Sequence, residues 1–431
     1  MSLCLDAEDF IRAYIGSSEE MNVSQELRDQ SSVFFQSLNS SSSVYHGVFG
    51  HWCGYSAITS EIHFVVGSFL LLIGVAGIAG NGLVILVLTR YRRLRTPANR
   101  LLGNLAVSDL LMSCLHPMAS FSSFRHSWQF GKLGCEFYGS MCGLFGLISI
   151  TTLSAIALER CLVIAIKPWY SGLHINNSKL CKIVAFIWLY SSVCVAPPLF
   201  GWGSYIPEGF LTSCSFDYLT RTPVNRAYFV FLYILGFFLP LLVILTSYFI
   251  IWKAVFHHEQ EMSQIHVNRA TSRYITRRRS DCKSAEMILC IIGLFLLSWT
   301  PYAIVATIGQ FWDTNVVTPW VSAIPSFFAK MSTVYNPIIY GFSHREFCAC
   351  TRHLFTRTQT PALREKIYSR YSQNTPRHEK QTRLSRASGV EKLNNDVKQQ
   401  PELKNKFRKC YIVMSFLQEG RSMKTVSLNQ K

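Results

Sequence analysis

Charge is scarce in this chain. Only 16% of its 431 residues are Asp, Glu, Lys or Arg, while 49% are apolar or aromatic. Two or three soluble domains, the usual content of such a length, would need more polar surface than this. Residues 1–20 lack the basic start and short apolar core of a secretion signal, so the first apolar stretch is expected to direct insertion itself. Internal repeats and groups of mid-span charges are missing as well, which argues against transporters and channels. Cysteines number 14, yet most fall within or below the apolar stretches, which excludes a disulfide scaffold.

What the chain has instead is seven long apolar runs, near 62–89, 100–124, 133–165, 180–201, 226–253, 284–311 and 318–342. Crossing about 30 Å of hydrocarbon takes roughly 20 such residues as a helix. The third run carries no charge from Tyr138 to Leu158. The expected fold is all-α, a seven-transmembrane helix bundle over residues 61–343 behind an extracellular tail at 1–60. Lys and Arg collect on the cytoplasmic side of membrane proteins. Residues 1–60 hold seven acids and two bases, whereas residues 343–431 hold 19 bases and seven acids. The first connection carries Arg90, Arg92, Arg93 and Arg95, and the linker before the sixth run carries Arg269, Arg273, Arg277, Arg278, Arg279 and Lys283. The N-terminus is therefore expected outside and the C-terminus in the cytoplasm. Beside a bilayer these basic flanks suit anionic lipid headgroups, and nucleic acid is not an expected partner.

That topology sorts the surface motifs. Asn22 and Asn39 open Asn-x-Ser sequons that fall outside, where glycosylation is possible, while Asn176-Asn-Ser178 falls inside and is excluded. Cys135 opens the third run and Cys214 lies in the outer connection 202–225, so a bridge between them would tie that connection across the mouth of the bundle. Cys4 and Cys53 are a second outer pair, and spacing alone leaves the connectivity open.

Ionisable groups inside a span are costly, so each is a candidate for function. Asp109 stands mid-run in the second span, with Asn81 a polar break in the first; the pair reads as a shared hydrogen-bond cluster. Glu159-Arg160 closes the third span, where an arginine also has the option of extending to headgroups. Lys330 lies about 12 residues into the seventh run, too deep for that. Amines kept from water lose their proton more readily and become nucleophiles suited to condensing with an aldehyde. A salt bridge to a neighbouring span is the alternative, but the third to sixth runs have no acid in their middle.

Over most of residues 60–350 the chain resembles the rhodopsin-like receptors. The residues that carry the likeness are Gly80-Asn81, Leu105-Ala-Val-Ser-Asp109, Glu159-Arg160-Cys161, Trp188, Pro240, Tyr248, Ser298-Trp299-Thr-Pro301 and Asn336-Pro337-Ile-Ile-Tyr340, in that order. Cys161 replaces the usual aromatic of its triplet. Phe347, seven residues after Tyr340, fits the start of a short amphipathic helix on the inner leaflet, expected over 344–355. Lys330, six residues before Asn336, has the spacing of the opsins, and Gly201–Asp217 is similar to the outer loop of rhabdomeric opsins and melanopsins.

The resemblance implies 11-cis-retinal held on Lys330 as a Schiff base and isomerised to all-trans by light, with Tyr138, Trp299 and Tyr302 around it. It implies Glu208, six residues before Cys214, as counterion, since Tyr138 occupies the place of the ciliary-type glutamate; Glu136 is the rival acid. It implies a light-sensing receptor rather than an enzyme, in a photoreceptive plasma membrane, signalling through Glu159, Arg160, Asp281, Tyr248, Asn336, Pro337 and Tyr340 to a heterotrimeric G protein of the Gq class. The segment His344-Arg345-Glu346 departs from the melanopsin pattern in a region that contributes to that choice. Cys348 and Cys350 sit where palmitoylation occurs. The basic, Ser/Thr-dotted tail 356–431 suits a receptor kinase and arrestin, and is interrupted by an apolar run, Tyr411–Leu417, too short to span. Two alternatives share the fold. A retinal photoisomerase would often carry a degraded Arg triplet, and a receptor for a diffusible amine would want an acid where Cys142 stands.

Overall fold

The computed structural model describes residues 51–52, 54–166, 177–262, 269–343 and 345–356. The chain divides into two units, Met1–Arg352 and His353–Lys431.

Helix α1 (Ser60–Arg90) is followed by α2 (Pro97–Ser113), whose start is set locally. Thr96 Oγ1 accepts the Asn99 N–H at 3.2 Å, and Pro97 stands at the first helical position, where its missing N–H costs nothing. The second apolar run then breaks at Cys114–Leu115 and resumes as α3 (His116–Phe124). Pro117 explains the break, because its ring clashes with the carbonyl four residues earlier and cannot donate to it. Next come α4 (Gly131–Cys161), continued by a π turn at Leu162–Ile166, and α5 (Asn177–Val195). An antiparallel hairpin joins β1 (Tyr205–Glu208) to β2 (Ser213–Phe216), with Tyr205 opposite Phe216 and Glu208 opposite Ser213. Helices α6 (Pro223–Tyr233) and α7 (Leu239–Met262) are one span with a π turn at Ile234–Phe238. Then follow α8 (Arg269–Phe311) with Pro301 inside it, α9 (Pro319–Ser343) with Pro325 and Pro337 inside it, and α10 (Arg345–Thr356) at the place expected for the amphipathic helix. The end of the bundle that carries the hairpin is called outer below.

Five of these spans are long and apolar enough to cross a membrane by length and composition alone, namely Ser60–Arg90, Gly131–Ala165, Asn177–Val195, Pro223–Phe256 and Asp281–Phe311. The other two expected spans fall short for identifiable reasons. Neither half of the split second span, at 17 and nine residues, is long enough by itself. In α9 the buried face carries Ser322, Ser326, Lys330, Ser332, Thr333 and Asn336 in place of aliphatic side chains.

Burial runs opposite to that of a soluble protein. Phe64, Leu72, Leu189 and Leu297 are each more than 60% exposed, while Asn81, Ser108, Asp109 and Lys330 are buried. Large exposed apolar side chains with polar ones inside are what a lipid solvent selects. Where α1 meets α2 and α9 it does so through glycine: a Cβ on Gly80 would lie 3.0 Å from Pro337. Small residues of this kind let membrane helices approach closely.

The extracellular tail expected over 1–60 includes a packed segment at its end. Trp52 is fully buried in an apolar cluster with Leu211, Tyr218, Tyr302 and Val317. His51 Nε2 lies 2.8 Å from Val317 O, and Tyr55 donates to Asn315 O at 3.2 Å. Asn22, Asn39, Cys4 and Cys53 lie outside the described residues, as do the tail from 357 and the apolar run at 411–417.

Candidate functional site

Lys330 points inward from α9 and is 5% exposed. Its Nζ donates to Ser326 Oγ one turn earlier on the same helix. Ser326 in turn donates to Glu208 Oε1 at 2.8 Å, and Nζ lies 3.6 Å from that oxygen. Ser213 Oγ approaches Oε1 at 3.3 Å, and the Tyr302 hydroxyl donates to Oε2 at 3.3 Å while sharing a bond with Ser215. A buried ion pair survives only when further hydrogen bonds occupy the remaining lone pairs. Glu208, 3% exposed, has them from three elements: β2, α8 and α9.

The hairpin delivers Glu208 to this depth because it is tied at both strands. Cys214 of β2 is bonded to Cys135 of α4, with Cα atoms 5.4 Å apart. Glu208 ends β1 directly opposite Ser213. Beyond β2, Asp217 accepts the Leu219 and Thr220 N–H groups at 2.9 and 2.8 Å and the Ser204 hydroxyl at 3.0 Å. Burial pushes its carboxyl above the usual carboxylate range, and these bonds pull the other way. Glu136, the rival acid, pairs with Lys132 at 3.9 Å on a partly exposed face of α4.

Below the hairpin lies a cavity whose wall includes Lys330, Glu208, Tyr138, Cys142, Trp299 and Tyr302. Aromatic side chains dominate it, including Tyr205, Phe216, Tyr228, Tyr233, Phe237 and Phe295. Trp299 stacks on Phe295 with centroids 5.6 Å apart, meets Tyr302 edge-on at 6.3 Å and donates from Nε1 to Ser332 Oγ at 3.1 Å. Its ring fits against α4 only because position 146 is glycine; a Cβ there would stand 2.7 Å away. The Tyr138 hydroxyl is buried in this wall with no hydrogen-bond partner among the described residues. Chemically, the site offers one amine, one carboxylate and one unpaired hydroxyl around an apolar, aromatic space, which suits a long apolar molecule with a carbonyl at one end.

Deeper in the bundle, Asp109 accepts from Ser149 at 3.1 Å and from the Asn336 amide at 2.6 Å. The expected Asn81–Asp109 cluster takes a different form. Asn81 donates to the Gly77 and Thr333 carbonyls at 3.0 and 2.8 Å, so both polar residues are fastened to α9 rather than to each other. Trp188 reaches Asn104 at 2.9 Å.

At the inner end Arg160 bonds Glu159 at 2.5 Å, and its Nη1 extends to Ser284 Oγ of α8 at 3.4 Å. Asp281 stands three residues before Ser284 on α8 and is half-buried. Tyr248 donates to Ala285 O at 3.0 Å. Tyr340 is buried, its hydroxyl unpartnered among the described residues, and its ring lies 6.3 Å from Phe347. Cys350 is buried and Cys348 half-buried beside the Gly341 carbonyl, so Cys348 is the more accessible of the two thiols. Sequence reasoning missed Ser326, although a hydroxyl one helical turn before an isolated lysine was a usable signal, and it missed Ser213, Ser215 and Trp52.

Residues 80–340 match the model of the 7 transmembrane receptor (rhodopsin family). A Gq-coupled rhodopsin of Mizuhopecten yessoensis is 40% identical over 302 residues, covering 69% of this chain and 60% of that one. Rhodopsin of Enteroctopus dofleini is 38% identical over 303 residues, covering 69% and 66%. Melanopsin of Rattus norvegicus is 40% identical over 299 residues, covering 69% and 63%. The chain thus spans between 60 and 66% of the length of these curated relatives. Among solved structures, the crystal structure of squid rhodopsin superposes with a TM-score of 0.68 at 34% identity, covering 72% of this chain and 90% of that one.

Proposed function

Because the chain belongs to the rhodopsin family of seven-transmembrane receptors, and within it to the opsins, we propose that it is a light-sensing receptor that holds retinal on Lys330 and activates a heterotrimeric G protein. The observation that carries this reading is the buried Lys330–Glu208 pair at the wall of an aromatic cavity. When bound, retinal supplies the light-absorbing polyene and the aldehyde that condenses with the lysine amine, 11-cis before light and all-trans after.

The protein's own part divides among named residues. Lys330 fixes one end of the ligand to α9. Glu208 holds a positive charge at Nζ that burial alone would disfavour. Ser326 and Tyr302 fix the carboxylate in place, so the charge faces a preorganised partner and not water. Tyr138 offers its unpaired hydroxyl to the same end of the cavity. Trp299 lies between the cavity and Ser332, two residues before the Pro301 that interrupts the hydrogen-bond ladder of its helix, so pressure on its ring is transmitted to the inner half of α8. There the Arg160–Ser284 contact is the cross-link that must part for α8 to move from α4, with Asp281 three residues before Ser284 and Tyr248 bonded to Ala285 next to it. Asp109 and Asn336, joined at 2.6 Å, bind the second span to the seventh through the same region.

The Gq class is supported by the relative from Mizuhopecten yessoensis that is named for that coupling. The membrane is the plasma membrane of a photoreceptive cell, with the hairpin and the glycosylated Asn22 and Asn39 outside. The tail and a palmitoylated Cys348 face the cytoplasm, where receptor kinase, arrestin and lipid headgroups are the partners. The test is a dark and an illuminated absorption spectrum of the purified protein incubated with 11-cis-retinal. A band that shifts on illumination and is missing from Lys330→Ala is expected. A folded protein without a band would redirect attention to a diffusible ligand.

A further inference from the structure

Away from the cavity, two histidines meet at the outer rim. His63, at the outer end of α1, is buried, and its Nδ1 has no hydrogen-bond partner among the described residues. His126, just beyond α3, is exposed. Their ring centroids lie 5.1 Å apart. An orphaned buried nitrogen is costly, so the His63 ring calls for a partner at its Nδ1.

The backbone at His126 adds an independent sign. Helix α3 ends in a Schellman pair: His126 N–H bonds Ser123 O at 3.0 Å and Ser127 N–H bonds Ser122 O at 3.1 Å. The residue closing such an end adopts the left-handed conformation, and His126 does so at φ 64°. Glycine is the usual occupant, so a bulky ring at this position is held at the expense of backbone strain.

We propose that His63 and His126 form a binding site for a borderline divalent transition ion, Zn²⁺ foremost. Metal–nitrogen bonds of about 2.0–2.1 Å, with each ring centre roughly 1.1 Å behind its nitrogen, place two imidazoles on one tetrahedral ion with centroids about 5.1 Å apart. The observed separation already has that value. The exposed side of His126 leaves the other two coordination positions to water, which makes the site exchangeable. Arg125, the nearest cation in sequence, has its guanidinium over the Phe121 ring at 5.6 Å. Imidazole nitrogens suit Zn²⁺ and Cu²⁺, whereas Ca²⁺ requires oxygen ligands that this pair does not offer.

Such an ion would stiffen the roof of the cavity. The His63 ring lies 6.3 Å from Phe210 at the hairpin tip. Phe210 packs on Trp320 at 4.9 Å and on Phe327 at 6.0 Å, the latter three residues before Lys330 on α9. Clamping α1 to the turn after α3 therefore restrains the hairpin that carries Glu208.

The experiment is calorimetric titration of the purified full chain with ZnCl₂, and with CaCl₂ as control, alongside thermal melting with and without each ion. His126→Gln and His63→Gln are run in parallel; other histidines and thiols are common to all three proteins. The expected result is one Zn²⁺ binding class and a Zn²⁺-dependent rise in melting temperature, both lost in each variant and neither produced by Ca²⁺. Wild type and His126→Gln titrating alike would overturn the proposal, as would wild type showing no saturable class. If His63→Gln fails to fold, the exposed His126→Gln decides alone.

Discussion

Two buried ion pairs sit at opposite ends of this bundle, and they are built differently. The outer pair, Lys330–Glu208, joins a helix to a hairpin that is far from it in sequence, and Ser326, Ser213 and Tyr302 all bond the carboxylate. The inner pair, Glu159–Arg160, joins neighbours on one helix, and Arg160 reaches Ser284 of α8 by a long 3.4 Å contact. A pair bonded from three elements resists separation, whereas a pair within one helix lets the next helix leave at small cost. The outer end is therefore suited to holding a ligand and the inner end to moving.

The comparison breaks most visibly at Glu208. Glu208→Gln leaves a buried amine without its carboxylate, a loss of about 3–5 kcal/mol by analogy with other broken buried pairs. The expected outcome is a large drop in melting temperature, together with a shifted dark absorption maximum and pH titration in the retinal-loaded protein. An unchanged spectrum and titration would remove Glu208 from the counterion role. Cys214→Ser should come next, at about 2–4 kcal/mol for a bridge closing a long loop, read as faster thermal inactivation and faster loss of bound retinal. Ser326→Ala removes one bond from the carboxylate and one from the amine. Its cost of about 1–3 kcal/mol is measured by melting, and no effect would mean that Lys330 and Glu208 need no bridge. Ser284→Ala is the smallest in stability, about 1 kcal/mol or less for a long hydroxyl contact, but it should raise G-protein activation in the dark. If dark activity stays at the wild-type level while Arg160→Ala abolishes signalling, the restraint on α8 lies elsewhere.

The two ends were also unequally legible in the sequence. Lys330 announced itself, because an isolated cation in an apolar run has few bland explanations, and the structure sets it at a cavity wall. The hairpin strands are four residues each, too short for alternation to register, so the depth of Glu208 came only from resemblance to the opsin loop. Pro117 carried the signal for the split of the second span, which a count of apolar residues passes over. The Ser284 contact was out of reach because the sequence does not say which face of α8 turns toward Arg160. Trp52 sits in a short stretch of glycine, aromatic and small residues without periodicity, where nothing distinguishes a docked tryptophan from an exposed one. The seventh span reads in the sequence as an apolar run at 318–342, and only the built helix shows Ser322, Ser326, Lys330 and Asn336 sharing its buried face.

The Cys135–Cys214 bond has a topological consequence. It closes a covalent ring between residues 79 apart in sequence, and that ring passes through the membrane twice, down α4 and back up α5. A single cut of the backbone anywhere within that ring leaves both fragments attached, so a nicked receptor runs as one species on a non-reducing gel and as two after reduction. During biosynthesis the same ring is completed only after α4 and α5 have both been inserted. Its oxidation is thus a record that half the bundle has assembled.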